Sequence, residues 1–335
     1  MIVKGLFINM DTEISELTLD ELADYYSPGE NRLRWPTPFV LPGWMNAWWK
    51  AFGAGFNILV LAAKEGSDVV GIAPFKVKDS IASFIGDNSV CDYLDFVTAP
   101  GKENAFAKVL LDYLPALDVK TLLLETLRPE SVSIHNVAEE ARRGNHRVTS
   151  SEIDVSFEME LLETWEDYLF SLESKQRRDV ERKMHQLDEM AEVRFRVLKD
   201  SEVEEADLNA FFQMMTDSRR DKAQFLAPRM RSFFEDEVKA MSDYGILRLG
   251  FLDVGVARVA SILYFEYNDT IYLYNSGYMP QYAEMNVGLV SKLYCIRQAI
   301  EERKKVFDFL KGPEVYKSRL GGHEVRLSRC VIDLR

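Results

Sequence analysis

A chain of 335 residues, 47% hydrophobic and 12% aromatic, can fill two cores and has none of the composition of a disordered polymer. Its formal charge of −13 excludes general affinity for DNA, RNA or an anionic membrane and leaves such binding to a local basic patch. Three distant cysteines, Cys91, Cys295 and Cys330, fit reduced thiols; with no CxxC or HExxH spacing and no apolar run near the ~20 residues that span a bilayer, the expectation is a soluble cytoplasmic protein without a metal.

In chain order, Ile2–Ile8 reads as a short strand and Glu13–Tyr26 as an acidic helical segment stopped by Ser27-Pro28-Gly29. The stretch 31–55 holds four of the five tryptophans, Trp35, Trp44, Trp48 and Trp49. Trp44, Trp48 and Phe52 share helical spacing, which predicts an amphipathic helix docked on a core; a sugar-stacking platform with Trp44 as substrate contact is the sharper alternative. Ile58–Ala63 and Val69–Val77 flank a turn and predict a hairpin, followed by strands at Ser83–Gly86 and Tyr93–Val97, a helix at Glu103–Leu114, a strand at Lys120–Thr126 and a helix at Pro129–Arg142. Ser151–Leu162 reads as a strand.

Ser174–Met190 is a helix with Lys175, Arg177, Arg178, Arg182 and Lys183. Pairing with Asp179 and Glu181 would make this an ordinary solvated face. Against the acidic background, an anionic ligand such as a phosphate is the better account, and it makes Arg177, Arg178 and Arg182 candidate substrate contacts. Helices follow at Leu208–Asp221 and Pro228–Ser242, with Arg219, Arg220 and Phe225 at the border of a possible cleft. Next come a hairpin of Ile246–Leu252 with Val256–Tyr267, a strand at Thr270–Tyr274, a helix over 286–303, a strand at Val306–Leu310, a polar loop over 311–319 and a last strand at Val325–Leu334. The order hairpin, strand, helix, strand therefore occurs twice, roughly 190 residues apart, which predicts an internal structural repeat. The fold class is α/β (α+β), as two similar units, residues 1–152 and 153–335, each a mixed, mostly antiparallel sheet flanked by helices.

Only the second copy carries residues that resist a structural account. Asn275-Ser276-Gly277 interrupts its third strand, so the strand should end in exposed backbone. Asn286 is placed to cap the next helix, and Gly288 in its first turn leaves room either for a phosphate or for close packing on the sheet. Asp308 lies between Phe307 and Phe309 in a short apolar strand, where a carboxylate needs a partner or a task. Tyr316 and Lys317 sit in the following loop, at the end of a strand, where α/β proteins usually keep their ligand sites.

The run FDFLKGPEVYKSRLG, preceded by SGYMPQYAEMNVGLVSKLYCIRQAI, resembles the Gcn5-related (GNAT) acyltransferases of the CelD/BcsL cellulose-biosynthesis type, relatives of the Fem-type peptidoglycan aminoacyltransferases. The family's last block reads like FDFLRGDEPYKRRWG. Asp308, Gly312, Glu314, Tyr316, Lys317, Arg319 and Gly321 match it, whereas Pro313, Val315 and Leu320 depart. SLESKQRRDVERKMHQLDEMAEVRFRV and PGWMNAWWKAFGAGFNILVLAAKEGSDVVGIAPFKV are similar to its basic helix and its N-terminal half. The resemblance implies two tandem GNAT-like units, the first architectural or acceptor-binding. It implies transfer from acetyl-CoA or another acyl-CoA to an amine on a sugar, a nucleotide sugar or a cell-envelope precursor. The backbone of Tyr274, Asn275 and Ser276 would polarise the donor carbonyl, and the helix start at Asn286, Val287, Gly288 and Leu289 would hold the pyrophosphate. Tyr316 would return a proton to the thiolate, Lys317 would meet a phosphate, and Asp308 would orient Lys317 or act as base. The alternatives are a Fem-like aminoacyl-tRNA-dependent transferase, the only reading with a tRNA partner, and a non-catalytic sugar- or nucleotide-binding protein of the same fold.

Overall fold

The computed structural model describes residues 12–29, 32–219, 224 and 226–334. The expected strand Ile2–Ile8, Arg220 and Phe225 lie outside them. By compactness the chain forms an N-terminal unit, 1–153 together with 327–335, and a C-terminal unit, 154–326.

In the N-terminal unit, β1 (Thr12–Leu17), β2 (Asn57–Glu65), β3 (Asp68–Lys78), β4 (Ile81–Phe84) and β6 (Thr121–Leu127) are neighbours in that order, and β5 (Val97–Thr98) pairs with β3. The expected hairpin is the β2–β3 pair. β4 and β6 are parallel, and between them the chain makes a helix, α2 (Glu103–Tyr113), as a parallel crossover requires. Helix α1 (Pro42–Phe52) opens on a proline at its first position and buries Trp44 and Trp48 on one face. The far side of β6 is covered by the end of β13 (His323–Asp333), from Ser328 opposite Leu127 to Asp333 opposite Thr121.

In the C-terminal unit the order is β7 (Arg147–Glu160, from Asp154 onward), β12 (Val306–Lys311), β11 (Thr270–Tyr278), β10 (Ala257–Tyr267), β9 (Leu247–Val254) and β8 (Val193–Lys199). All neighbours are antiparallel except β11 and β12. Helices α4 (Trp165–Ser171), α5 (Ser174–Met190) and α8 (Val287–Glu301) pack with one apolar cluster of the sheet, including Val180, Leu187, Ile271, Leu293 and Ile296. Helices α6 (Glu205–Ser218) and α7 (Pro228–Asp243) bring Phe212 and Phe234 against each other, and Phe234 against Tyr274. Each unit is thus a mixed, mostly antiparallel sheet flanked by helices.

Several elements depart from expectation. The acidic segment is not a helix: alternating side chains over Thr12–Leu17 pair with β2, and only Asp20–Tyr25 coils, as a 3₁₀ turn. Pro129–Arg142 becomes a π-turn over Ser133–Ala138 and a short α3 (Glu139–Arg143), because the Asp95 carboxylate takes the N–H groups of Val132 and Ser133 and fixes a later start. The polar loop after β12 contains one helical turn, α9 (Val315–Arg319).

The repeat extends to a detail. Thr126 in β6 and Leu310 in β12 each lie three residues before a Pro-Glu pair, each has positive φ (55° and 62°), and each sits at a register shift against its antiparallel neighbour. A β-branched or bulky residue is costly there, so the same bulge is held in both units by the surrounding ladder.

Candidate functional site

The site begins where a ladder ends. β11 and β12 are paired over Thr270–Val306, Ile271–Phe307 and Tyr272–Asp308, yet β11 continues to Tyr278 and β12 to Lys311. The two parallel strands therefore diverge into a wedge. Asn275-Ser276-Gly277 does not end the strand as expected, because β10 keeps pairing beyond it, to Tyr278 opposite Ala260. What replaces the break is a bulge. Between the pairs Leu263–Asn275 and Phe265–Tyr272, β10 advances two residues while β11 advances three, so Leu273 and Tyr274 together oppose Tyr264.

An extra residue inverts the facing of everything after it. Ile271, before the bulge, and Leu273, its first residue, belong to the cluster beneath α8. After it, Ser276 and Tyr278 face α8, while Gly277 lies against α6, where an added Cβ would come within 2.2 Å of the Met215 backbone N. Tyr274 packs instead between Phe234 and Phe265, and the Asn275 side chain accepts the Ser276 N–H at 2.9 Å. The bulge thus turns the Tyr274–Ser276 backbone at the mouth of the wedge, the stretch expected to meet the donor carbonyl.

Lys292 reaches this point from α8. Its ammonium donates to Ser276 Oγ at 3.1 Å and to the Gly288 carbonyl at 2.8 Å, and lies 5.2 Å from the centre of the Tyr316 ring. It is 8% exposed and has no carboxylate in ion-pair range among the described residues. Burial lowers its pKa to about 8, the Lys317 charge adds to that, and Cys295 and Glu314 oppose it. Sequence reading overlooked this residue. The signal was present: on a helix its neighbours at −4, +3 and +4 are Gly288, Cys295 and Ile296, so the lysine interrupts a buried face.

The block after β12 is braced rather than open. Lys317 is 2% exposed, and its protons go to the carbonyls of Leu310, Lys311 and Gly312 at 3.0, 2.5 and 3.1 Å. With all three protons used, Glu314 Oε2 at 3.0 Å is an ion partner without an aligned hydrogen bond. Burial pulls the Glu314 carboxyl upward, but the nearby Lys317 ammonium, a backbone N–H and the Arg219 charge together hold it below its ordinary value. Asp308, also buried, accepts the Leu310 N–H at 2.8 Å and so pins the bulge. The Lys317 ammonium is therefore directed at backbone, whereas the resemblance implied a phosphate. Tyr316 stands edge-on to Phe309 and is half-buried; burial, with Glu314 adding to it, pushes its phenol far above the ordinary range.

At the start of α8, Asn286 is the N-cap in position but not in chemistry. It adopts the left-handed conformation, its side chain donates to the Glu284 carbonyl, and its own carbonyl receives Leu289 N–H and Val290 N–H. The N–H groups of Val287 and Gly288 take no partner among the described residues, although Val287 itself is buried. Over Gly288 stands the Tyr278 ring, 2.9 Å from where a Cβ would be, so this glycine serves close packing.

Other expected contacts lie elsewhere. Trp44 is fully buried, stacks edge-on with Phe39 and donates to Cys91 Sγ at 3.2 Å, so it offers no face to a sugar; the amphipathic-core reading applies. Arg182 pairs with Asp179 at 2.6 Å, as the solvated-face reading has it. Arg177 lies over the exposed Phe170 ring at 4.9 Å and Arg178 donates to the Ser174 carbonyl; with Glu166, Leu169 and Glu181 they line a shallow cleft of about 330 Å³ on α4 and α5. No hydrogen bond, ion pair or ring contact joins these arginines to the wedge among the described residues. Nor is there a group of three or more His, Cys, Asp or Glu able to hold a metal, or a helix long and apolar enough to cross a membrane, among those residues.

A splayed parallel pair with a bulged strand and a helix returning from its tip defines a GNAT-type acyltransferase fold, and residues 174–318 match the model of the acetyltransferase (GNAT) domain. Among solved structures the chain is similar to FemX, at 12% identity over 95% of this chain and 96% of that one, with a TM-score of 0.63. It is also similar to the C-terminal domain of a proposed lysylphosphatidylglycerol synthetase of Agrobacterium fabrum (7% identity, 86% of each chain, TM-score 0.55). A third is L-PGS of Bacillus licheniformis (11% identity, 87% of this chain and 91% of that one, TM-score 0.54). At such identities the likeness is one of fold. A search of curated protein sequences gives no significant match.

Proposed function

We propose that the protein is an acyl-CoA-dependent N-acyltransferase whose C-terminal unit takes the donor into the β11–β12 wedge and passes its acyl group to an amine on a sugar or a cell-envelope precursor. The observation that carries this reading is the bulge at Leu273–Tyr274 beside a ladder of only three pairs. A thioester is already activated, so the protein needs to position it, offer backbone N–H to the developing oxyanion and admit a neutral amine. The Tyr274–Ser276 backbone is turned for the second task, and the N–H groups of Val287 and Gly288 suit a phosphate of the donor. Asp308 and Lys317 keep the far wall of the wedge in shape. The N-terminal unit is read as architectural or acceptor-binding.

One observation favours a second donor. The helix start lacks a glycine-rich loop, and Tyr278 fills the space over Gly288, which narrows the room for a pyrophosphate and keeps an aminoacyl-tRNA donor of the Fem kind in contention. The test is calorimetric titration with acetyl-CoA of the wild type and of Asn286→Asp, a near-isosteric change at a left-handed position that tolerates aspartate. Binding should weaken about tenfold in the variant, because a new carboxylate faces the donor phosphates, while Tm changes little, since the lost donation to the Glu284 carbonyl is offset by the helix dipole. No binding at millimolar acetyl-CoA would remove the acyl-CoA reading and leave the aminoacyl one.

A further inference from the structure

We propose that Lys292 is a catalytic residue of the C-terminal unit, the proton donor to the leaving group of the acyl donor. This rests on the acyl-transfer reading of the wedge and names the acid that the reaction needs.

The geometry singles out this side chain. Its ammonium is the point where three elements of the wedge meet: α8 through the Gly288 carbonyl, the post-bulge part of β11 through Ser276 Oγ, and α9 through the Tyr316 ring. Ser276 belongs to the backbone stretch that would polarise the carbonyl, so Nζ stands one hydrogen bond from that stretch. Among the described residues this buried cation is held by a hydroxyl, a carbonyl and a ring face, and so lacks a counter-charge there. The charged groups that face it are Lys317 and Glu314 from the β12–α9 block, and Glu314 is already engaged by Lys317; from its own helix Cys295 faces it as a thiol kept protonated by burial. An anion forming in the wedge would supply what is missing. The thiolate released from a thioester is such an anion.

The step balances without a further reagent. The acceptor's neutral amine attacks the thioester carbonyl, the C–N bond forms, and the C–S bond breaks with its electron pair left on sulfur. A proton passes from Lys292 Nζ to that sulfur; the acceptor nitrogen sheds its extra proton to solvent, and solvent reprotonates Lys292. Tyr316 is the competing acid, but its raised phenol would give up a proton to a thiolate uphill, whereas an ammonium titrating at about 8 is matched to a thiol ordinarily near 8.5.

The experiment compares wild type, Lys292→Gln and Lys292→Arg with two donors, acetyl-CoA and p-nitrophenyl acetate, using glucosamine as the acceptor probe and circular dichroism to confirm folding. The p-nitrophenolate leaves without a proton. Both variants should lose about 100-fold or more on acetyl-CoA and keep their rate on p-nitrophenyl acetate, since a general acid contributes on that scale only where the leaving group needs it. In wild type, kcat/KM on acetyl-CoA should fall as pH rises through about 8, where the Lys292 ammonium is lost, and the variants should lack that limb. Restoration of the thioester rate by Lys292→Arg would mark a structural cation and overturn the proposal, as would equal losses on both donors. If Lys292→Gln does not fold, Lys292→Arg and the wild-type pH limb decide. Wild type inert toward both donors would overturn the acyl-transfer reading and the proposal with it; an active wild type with equal losses would overturn the proposal alone.

Discussion

Glu237 illustrates how much a single buried group can weigh. It lies on α7 four residues after Phe233 and three after Phe234, is fully buried, and neither carboxylate oxygen has a hydrogen-bond partner among the described residues. Burial alone raises its pKa well above the ordinary 4.5. A raised carboxyl is protonated in the folded chain and ionised in the unfolded one, so its contribution to stability is lost as pH rises above 4.5 toward the folded value. Glu237→Met should therefore raise unfolding stability by ~1–3 kcal/mol at neutral pH, with a smaller gain at pH 5 than at pH 8. Urea unfolding at the two pH values checks it, and a pH-independent difference would refute the assignment. The charge was visible in the pattern FFEDEVKAM, where Glu237 shares a face with Phe233, Phe234 and Met241. Its solitude was not, since whether a buried carboxyl finds a donor depends on residues distant in the chain.

At the scale of elements, β12 and α9 form one braced turn. Asp308→Ala removes the acceptor of the Leu310 N–H and should cost about 2 kcal/mol, whereas Asp308→Asn keeps an oxygen there and should cost less than ~1 kcal/mol. Lys317→Met strips three carbonyls of their donor and should lower stability by ~3 kcal/mol or more, so any loss of transfer in that variant must be read beside its denaturant midpoint. Gly277→Ala places a Cβ against α6 backbone, which cannot step aside; a loss of ~3 kcal/mol or failure to fold is expected, and wild-type behaviour would refute the packing. The elements on this side of the molecule were legible because hydrophobic period and caps are local. Helix α5 is found over the residues its pattern predicts, Ser174–Met190, and β12, expected over Val306–Leu310, runs one residue further to Lys311. The bulge in β11 was not legible, because Asn275-Ser276-Gly277 has the composition of a turn and only the continued pairing with β10 holds it extended. Lys317 was found as a singular residue and expected to meet a phosphate, and its backbone partners were not foreseen, since three carbonyls gathered by a bulge leave no trace in composition.

For the whole molecule, the repeat of hairpin, strand, helix and strand was readable from element order, and the shared bulges at Thr126 and Leu310 deepen it. Element order did not reveal that the N-terminal unit is discontinuous. Its β6, with Leu122 and Leu124 fully buried, has its outer partner in the residues 328–333, and Arg329 pairs with Glu125 at 2.6 Å. Removing 327–334 should therefore leave an apolar strand edge exposed and yield aggregated protein on gel filtration, not a trimmed but folded chain. The same closure has a consequence in time. A ribosome adding ~5–20 residues per second takes roughly 10–40 s to go from β6 to its partner strand, so the part of the chain made first is among the last to be finished, and its unpaired edge must be sheltered meanwhile.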